Sequence, residues 1–361
     1  MFCIAAFIVF LILGIFSAYY RGLAKKAWYC VGRRLTFRPC DIHFDEEIKG
    51  IIAGKLVRRS PLLARFFLRW SNWLALVFVG LSIWSLIYVA VSGLNLFVYD
   101  TCNPQAAESC SLAGEACAVP SQNLDLFESF QQGQLASWAA RPFVNVANTT
   151  SLVPNRLRSW NAADFTTAES TYYAPFDNQK ITALEILDPG CHYCASLLNN
   201  IKAADFEHTH NLTYIAYPIP DPQQKSGYKF ANSYLIAQYL EAVKLVPPSK
   251  LDGTTPADWK LLETILLGAD GDGVQMQVKF NTLYSETEAE HKLQEMLPTF
   301  GYDEATIARV TEMAHSDKVV QIIKEHRAVV EQQIRTIKIP TIIFNGRRYD
   351  RVISSDTLKK R

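Results

Sequence analysis

The sequence predicts an α/β domain in the second half of the chain, preceded by two helices that cross a membrane. Three observations predict this. Two long stretches, 1–20 and 70–99, contain no charged residue. A strand–helix–strand run begins at Ile181. Near the C-terminus an apolar strand, an Asn345-Gly346 turn and a returning strand read as a hairpin.

Hydrophobic residues make up 49% of the 361, and they crowd into the first hundred. A helix of about 20 residues rises about 30 Å, the thickness of a bilayer core. Stretch 1–20 is read as the first transmembrane helix and 70–99 as the second, whose extra length is taken up by tilt or an interfacial end. Trp70, Trp73, Tyr88 and Tyr99 suit the headgroup level. A cleaved signal peptide competes for the first stretch, but it lacks a basic leading region and a clear small-residue cleavage site.

Between the two lies a basic loop, 21–69. Its arginines and lysines, from Arg21 to Arg69, outnumber Asp41, Asp45, Glu46 and Glu47. Basic loops stay on the cytoplasmic side. The N-terminus and everything after Asp100 are then expected outside the cytoplasmic membrane, in a two-pass topology with the lipid bilayer as a partner. This effect accounts for the loop's charges without binding of anionic lipid or nucleic acid. The net charge of +1 also leaves no electrostatic footprint for nucleic acid.

Stretch 100–179 reads as an extracytoplasmic spacer or a small subdomain, with one amphipathic helix from Phe127 to Trp138. It carries Cys102, Cys110 and Cys117. The chain's eight cysteines are too few for a disulfide scaffold at this length. A structural disulfide is expected between two of these three. The third is then free, or exchanges with a later pair.

The α/β domain is expected over 180–361. Ile181 to Leu187 is a largely buried strand, broken by Asp188-Pro189-Gly190. The helix from Cys191 to about Asp205 puts Cys194, Leu197, Leu198 and Ile201 on one face. Leu212 to Tyr217 is a second strand, ended by Pro218 and Pro220. This βαβ unit implies parallel pairing. A helical insertion follows at about 225–335. Thr255-Pro256-Ala257-Asp258 marks one helix start within it. The chain returns to strand at Pro340 to Phe344 and pairs back through Tyr349 to Ile353.

The chemistry points to Cys191-His192-Tyr193-Cys194. A C-x-x-C at a strand–helix junction puts the first cysteine at a helix N-terminus, where free N–H groups and the macrodipole favour a thiolate. A protonated His192 would favour it further. Cys194 lies three residues on, within reach for a redox disulfide with Cys191. A zinc site needs further ligands at the right spacing. His208 and His210 are the only downstream candidates, and Cys30, Cys40 and His43 in the inner loop lack a fourth ligand, so no metal is expected. Asp270-Gly271-Asp272-Gly273 resembles part of a calcium loop but lacks the later ligands, and is read as a turn. Asn148-Thr149-Thr150 and Asn211-Leu212-Thr213 fit the glycosylation pattern.

Over about 180–361 the sequence resembles the thioredoxin superfamily, and within it the DsbA-like branch. Three features carry the resemblance: the strand–Asp-Pro-Gly–CHYC–helix junction, the Ile339-Pro340-Thr341 run before an apolar strand, and Glu185 six residues before Cys191. The resemblance implies a thioredoxin-like fold with a helical insertion and a cis-proline loop at Ile339 and Pro340 against the sulfurs. It implies that Glu185 is the buried proton acceptor of the catalytic pair Cys191 and Cys194. Tyr193, Ile339 and Pro340 would bind substrate. The implied activity is thiol–disulfide exchange with exported cysteine-containing proteins. No organic cofactor is implied. A quinone-linked oxidase or a membrane electron donor would reset the pair. The His-Tyr dipeptide differs from the Pro-His of strongly oxidising members. An oxidase is the first expectation, a reductase or isomerase the second. A peptide-binding chaperone or assembly factor is the alternative of another class, against which the intact C-x-x-C and Glu185 argue.

Overall fold

The computed structural model describes residues 2–36, 44–58, 60–102, 104, 115–119 and 126–360. Two compact units divide the chain, Met1–Val91 and Ser92–Arg361.

The first unit is helical. It contains α1 (Phe2–Phe16), α2 (Ala18–Leu35), α3 (Phe44–Val57) and most of α4 (Pro61–Tyr99). The expected first span differs from what forms. Helix α1 has 15 residues, about 22 Å, short of a bilayer core. The chain then reverses near Ser17, so that the Phe7 and Trp28 rings lie 5.1 Å apart. Ala6, Leu23 and Ala27 are buried in the same cluster, and Cys30 within it is disulfide-bonded. Among the described residues one helix, Ala64–Tyr99, is long and apolar enough to cross a membrane.

The second unit opens at the end of α4 and is tied together there. The Asn95 amide accepts a hydrogen bond from Thr149 at 2.7 Å, and Lys338 donates to the Asp100 carbonyl at 3.1 Å. Next come β1 (Cys117–Ala118), α5 (Leu126–Gln131), α6 (Leu135–Thr150) and α7 (Val153–Leu157). The described residues of stretch 100–179 pack into the same unit as the α/β domain. β1 pairs with a strand near the C-terminus, Trp160 bridges to Gly346, and the Tyr173 N–H donates to the Leu212 carbonyl.

The α/β core holds β2 (Thr182–Leu187), α8 (His192–Ala203), α9 (Phe206–Thr209) and β3 (Asn211–Ala216). Helices α10 (Ser233–Leu245), α11 (Ala257–Leu267), α12 (Met276–Thr282), α13 (Glu286–Met296), α14 (Glu304–Ala314) and α15 (Asp317–Ala328) form the insertion. The chain closes with β4 (Lys338–Ile339), β5 (Thr341–Phe344), β6 (Arg347–Tyr349) and the short α16 (Ser355–Lys359). The main sheet has the order β3-β2-β5-β6. β2 and β3 are parallel, as the βαβ unit requires, and β5 runs antiparallel to both β2 and β6. Asn345 and Gly346 both have positive φ, the conformation a two-residue hairpin turn needs. This is an α/β fold with a four-stranded mixed sheet and a helical insertion between β3 and β4.

β2 is buried on both faces from Ala183 to Leu187, so its side chains form a continuous apolar run interrupted only by Glu185. Leu197, Leu198 and Ile201 of α8 are fully buried against it, each contributing about 1.5–3 kcal/mol through burial. The core is thus a rigid mount for the strand–helix junction at 188–191.

Asn211 cannot carry a glycan in this fold. Its side chain is buried and donates to the carbonyls of Asp177 and Lys180. Asp270 and Asp272 both pair with Lys279, at 2.9 and 2.6 Å, which accounts for the acidic turn without calcium.

Candidate active site

Cys191 is the N-cap of α8. Pro189 and Gly190 end β2, and Asp188 shapes the turn. Its buried carboxylate accepts N–H bonds from Gly190 at 2.8 Å and Ile219 at 2.7 Å. Burial pushes the Asp188 carboxyl up to about 7, against the opposing pull of those two donors. The Asp188 N–H in turn points at Cys194 Sγ, 3.4 Å away.

The insertion clamps this turn. The Gln277 amide donates to the carbonyls of Pro189 at 2.7 Å and Cys191 at 3.1 Å. Asn281 donates to the Gly190 carbonyl at 2.7 Å. Phe230 covers Gly190 so closely that a Cβ there would lie 2.3 Å from the Phe230 Cβ. Only glycine fits at this position.

The Ile339–Pro340 peptide is cis, and both residues are buried. The Ile339 carbonyl oxygen lies 3.7 Å from Cys191 Sγ. The loop and the first cysteine, 148 residues apart in sequence, therefore meet.

Glu185 lies on β2 and is fully buried. Neither of its carboxylate oxygens has a hydrogen-bond partner. Burial pushes its carboxyl up to about 8. Burial, and then the charge of Glu185, push the Cys194 thiol well above its ordinary range. A buried acid coupled to a buried thiol can hold a proton for it. His192 is exposed and Tyr193 half-buried, with ring centroids 3.9 Å apart.

Two expectations about the sulfurs need correction. The disulfide formed is Cys117–Cys191, not Cys191–Cys194, and Cys194 is a free buried thiol. The physical reason is a strand addition. β1 pairs antiparallel with β4, Cys117 opposite Ile339 and Ala118 opposite Lys338. The Val119 N–H adds a bond of 3.0 Å to the Ile337 carbonyl. That register sets Cys117 beside Cys191. The strand also covers Cys191, so the first sulfur is as buried as the second rather than the more exposed of the two. Cys117 therefore does not pair with Cys102 or Cys110. Cys102 is itself disulfide-bonded, and Cys110 lies outside the described residues, as do Cys40 and His43.

Sequence reasoning left exchange with the pair open for one of Cys102, Cys110 and Cys117 without singling out Cys117 as the partner of Cys191, and it missed Asp188, Gln277, Asn281 and Phe230. Asp188 alone left a trace, since an acid before Pro-Gly at a strand end often holds turn N–H groups.

No family model matches the chain, and neither does any curated protein. Solved structures do. The chain is similar to a thioredoxin-like oxidoreductase from Silicibacter pomeroyi, 14% identical, covering 54% of this chain and 91% of that one, with a TM-score of 0.39. It is similar to the thiol-disulfide exchange protein α-DsbA2 from Wolbachia pipientis, 16% identical, covering 52% and 84%, with a TM-score of 0.35. A third is MdbA, a thiol-disulfide oxidoreductase from Corynebacterium diphtheriae, 11% identical, covering 54% and 94%, with a TM-score of 0.37.

Proposed function

We propose that this chain is a membrane-tethered thiol–disulfide oxidoreductase that exchanges disulfides with exported cysteine-containing proteins. One observation carries the reading: Cys191 caps α8 with its sulfur against the carbonyl that precedes cis-Pro340. A helix N-terminus stabilises a thiolate, and a strand edge beside it offers main-chain pairing to an extended peptide.

In the forward step a substrate thiolate attacks a disulfide sulfur at Cys191 and forms a mixed disulfide. A second substrate thiol then attacks that bond. The substrate leaves oxidised, and the two electrons stay with the protein on Cys191 and on the partner cysteine that the first attack displaced, both now reduced. Cys194 resolves stalled intermediates, and Glu185 takes its proton. Ile339 and Pro340 present the backbone and a flat surface, and Tyr193 flanks them. The cysteines themselves are the redox group, with no organic cofactor. A quinone-linked oxidase in the membrane, or for a reductase a membrane electron donor, resets them. The basic loop 21–69 holds its end of the chain on the cytoplasmic side, with α4 in the bilayer and the redox domain outside.

Net oxidation is the direction favoured, because the helix N-terminus stabilises reduced Cys191 and so makes its disulfide the stronger oxidant. Buried Glu185 supports the reverse direction, reductase or isomerase, once it ionises and repels a nearby thiolate. Equilibration of the full chain with glutathione buffers decides between them. A potential above about −270 mV, the value for thioredoxin, supports the oxidase. A value at or below it overturns that direction in favour of the reductase.

A further inference from the structure

We propose that Cys117 is a third redox cysteine, carried on a tethered strand that occupies the place of a substrate peptide and exchanges its bond to Cys191 with Cys194. The proposal rests on the thiol–disulfide reading of Cys191.

Strand β1 is held as a guest peptide would be. It adds antiparallel to β4 at the residue before Pro340, and the Val119 N–H extends the ladder to Ile337. Lys229 donates to the Ala118 carbonyl at 3.1 Å, and the Val352 N–H donates to the Glu115 carbonyl at 3.1 Å. The two paired residues form a separate two-stranded sheet with β4, outside the four-stranded core. Removing such a short strand leaves that core whole. A purely structural disulfide would not need the nucleophilic position at the helix N-cap for one end, nor a free thiol at Cys194 three residues away.

The internal step balances without an outside oxidant. The Cys194 thiolate attacks Cys191 Sγ. The Cys117–Cys191 bond breaks, a Cys191–Cys194 bond forms, and Cys117 leaves as a thiolate that takes up a proton. The proton given up by Cys194 passes to the Glu185 carboxylate. One disulfide is exchanged for another, with no net oxidation. A substrate thiolate enters by the same route, displacing Cys117 from Cys191. A tethered strand competes with a free peptide at an effective concentration on the order of millimolar. Free dithiol peptide at micromolar concentration is therefore held off until the strand lets go.

The test maps disulfides by acid quench, alkylation and mass spectrometry in the oxidised full-length protein, incubated at pH 8 with a trace of glutathione. The wild type is expected to hold both Cys117–Cys191 and Cys191–Cys194 linked forms. Cys194→Ser should hold only the first, and Cys117→Ser only the second. The rate of reaction of Cys117→Ser with a micromolar dithiol peptide should exceed the wild-type rate by about tenfold or more. Because the wild-type map needs no variant, a Cys117→Ser protein that fails to fold leaves the test intact. A wild type in which Cys194 never enters a disulfide, or in which Cys117 is bonded elsewhere, overturns the proposal. A protein that interconverts its two internal forms yet never reacts with the dithiol peptide keeps the relay and sinks the oxidoreductase reading instead.

Discussion

Cys191 Sγ and the Ile339 carbonyl oxygen are 3.7 Å apart, and the strand bearing Cys117 lies opposite that same Ile339. The sulfur is thus hemmed in by the cis-proline loop and by a short paired strand. Its helix N-terminus favours the thiolate, and the strand decides what can reach it.

Glu185 should make stability fall as pH rises. Burial pushes its folded carboxyl up to about 8, against about 4.3 for a free glutamate. A raised acid in the folded state binds a proton that the unfolded chain gives up, so its contribution is intact below about pH 4 and lost between about 4 and 8. Asp188, raised to about 7, adds to the loss over the lower part of that window. Glu185→Gln should flatten its share and raise stability at pH 8 by a few kcal/mol, because each tenfold change in proton affinity is worth about 1.4 kcal/mol. Urea melts from pH 4 to 9 measure this. A variant no more stable than wild type at pH 8 would mean that Glu185 is hydrated.

The clamp on the CHYC turn should be worth about as much as two buried hydrogen bonds. Gln277→Ala removes donors to the Pro189 and Cys191 carbonyls; the Cys191 carbonyl keeps the N–H groups of Cys194 and Ala195, while the Pro189 carbonyl is left unsatisfied, at a cost of roughly 1–3 kcal/mol. A denaturation midpoint unchanged from wild type would contradict the assigned role.

Gly190→Ala should be more damaging than its size suggests. The new methyl meets the Phe230 Cβ at 2.3 Å and the Asn281 Oδ1 at 2.9 Å. Overpacking of this kind costs about 1–3 kcal/mol. A double variant, Gly190→Ala with Phe230→Gly, which removes the Cβ that the new methyl meets, should be less destabilised than the sum of its two single variants, which chemical denaturation can read.

Topology can be read on intact cells. Cys194 is a free but buried thiol, and labelling of an added surface cysteine is scored against the parent protein. An impermeant maleimide should label Lys318→Cys, exposed on α15, and miss Lys55→Cys, exposed on α3. Labelling of Lys55→Cys alone would invert the orientation and place the redox domain in the cytosol.

Local patterns make the fold readable. The βαβ unit, the Asn345-Gly346 turn and the helical insertion all announce themselves within a few residues of sequence, through periodicity and turn chemistry. Glu185 is legible because both of its strand faces are apolar, which leaves no wet side for a carboxylate. What stays hidden is long-range. Cys117 finds Cys191 across 74 residues, through a two-residue strand too short to leave an alternating pattern. Gln277 and Asn281 look like an ordinary polar helix face until β2 delivers three backbone carbonyls to them. The reversal near Ser17 is masked because the polar residues there carry no charge, so the stretch reads as one apolar span.

Trapping with a single-cysteine peptide tests the central claim most directly. Cys194→Ser alone is the wrong trap, because Cys117 can displace a bound substrate. The double variant Cys117→Ser, Cys194→Ser leaves Cys191 with neither internal partner. Offered the peptide as its disulfide with thionitrobenzoate, the reduced double variant should expel thionitrobenzoate and, with no second peptide thiol to reverse the step, accumulate a stable mixed disulfide whose protein sulfur maps to Cys191. The same variant with Cys191→Ser added should accumulate none. An intact, folded double variant that forms no adduct at Cys191 would contradict the assignment of Cys191 as the exchanging sulfur.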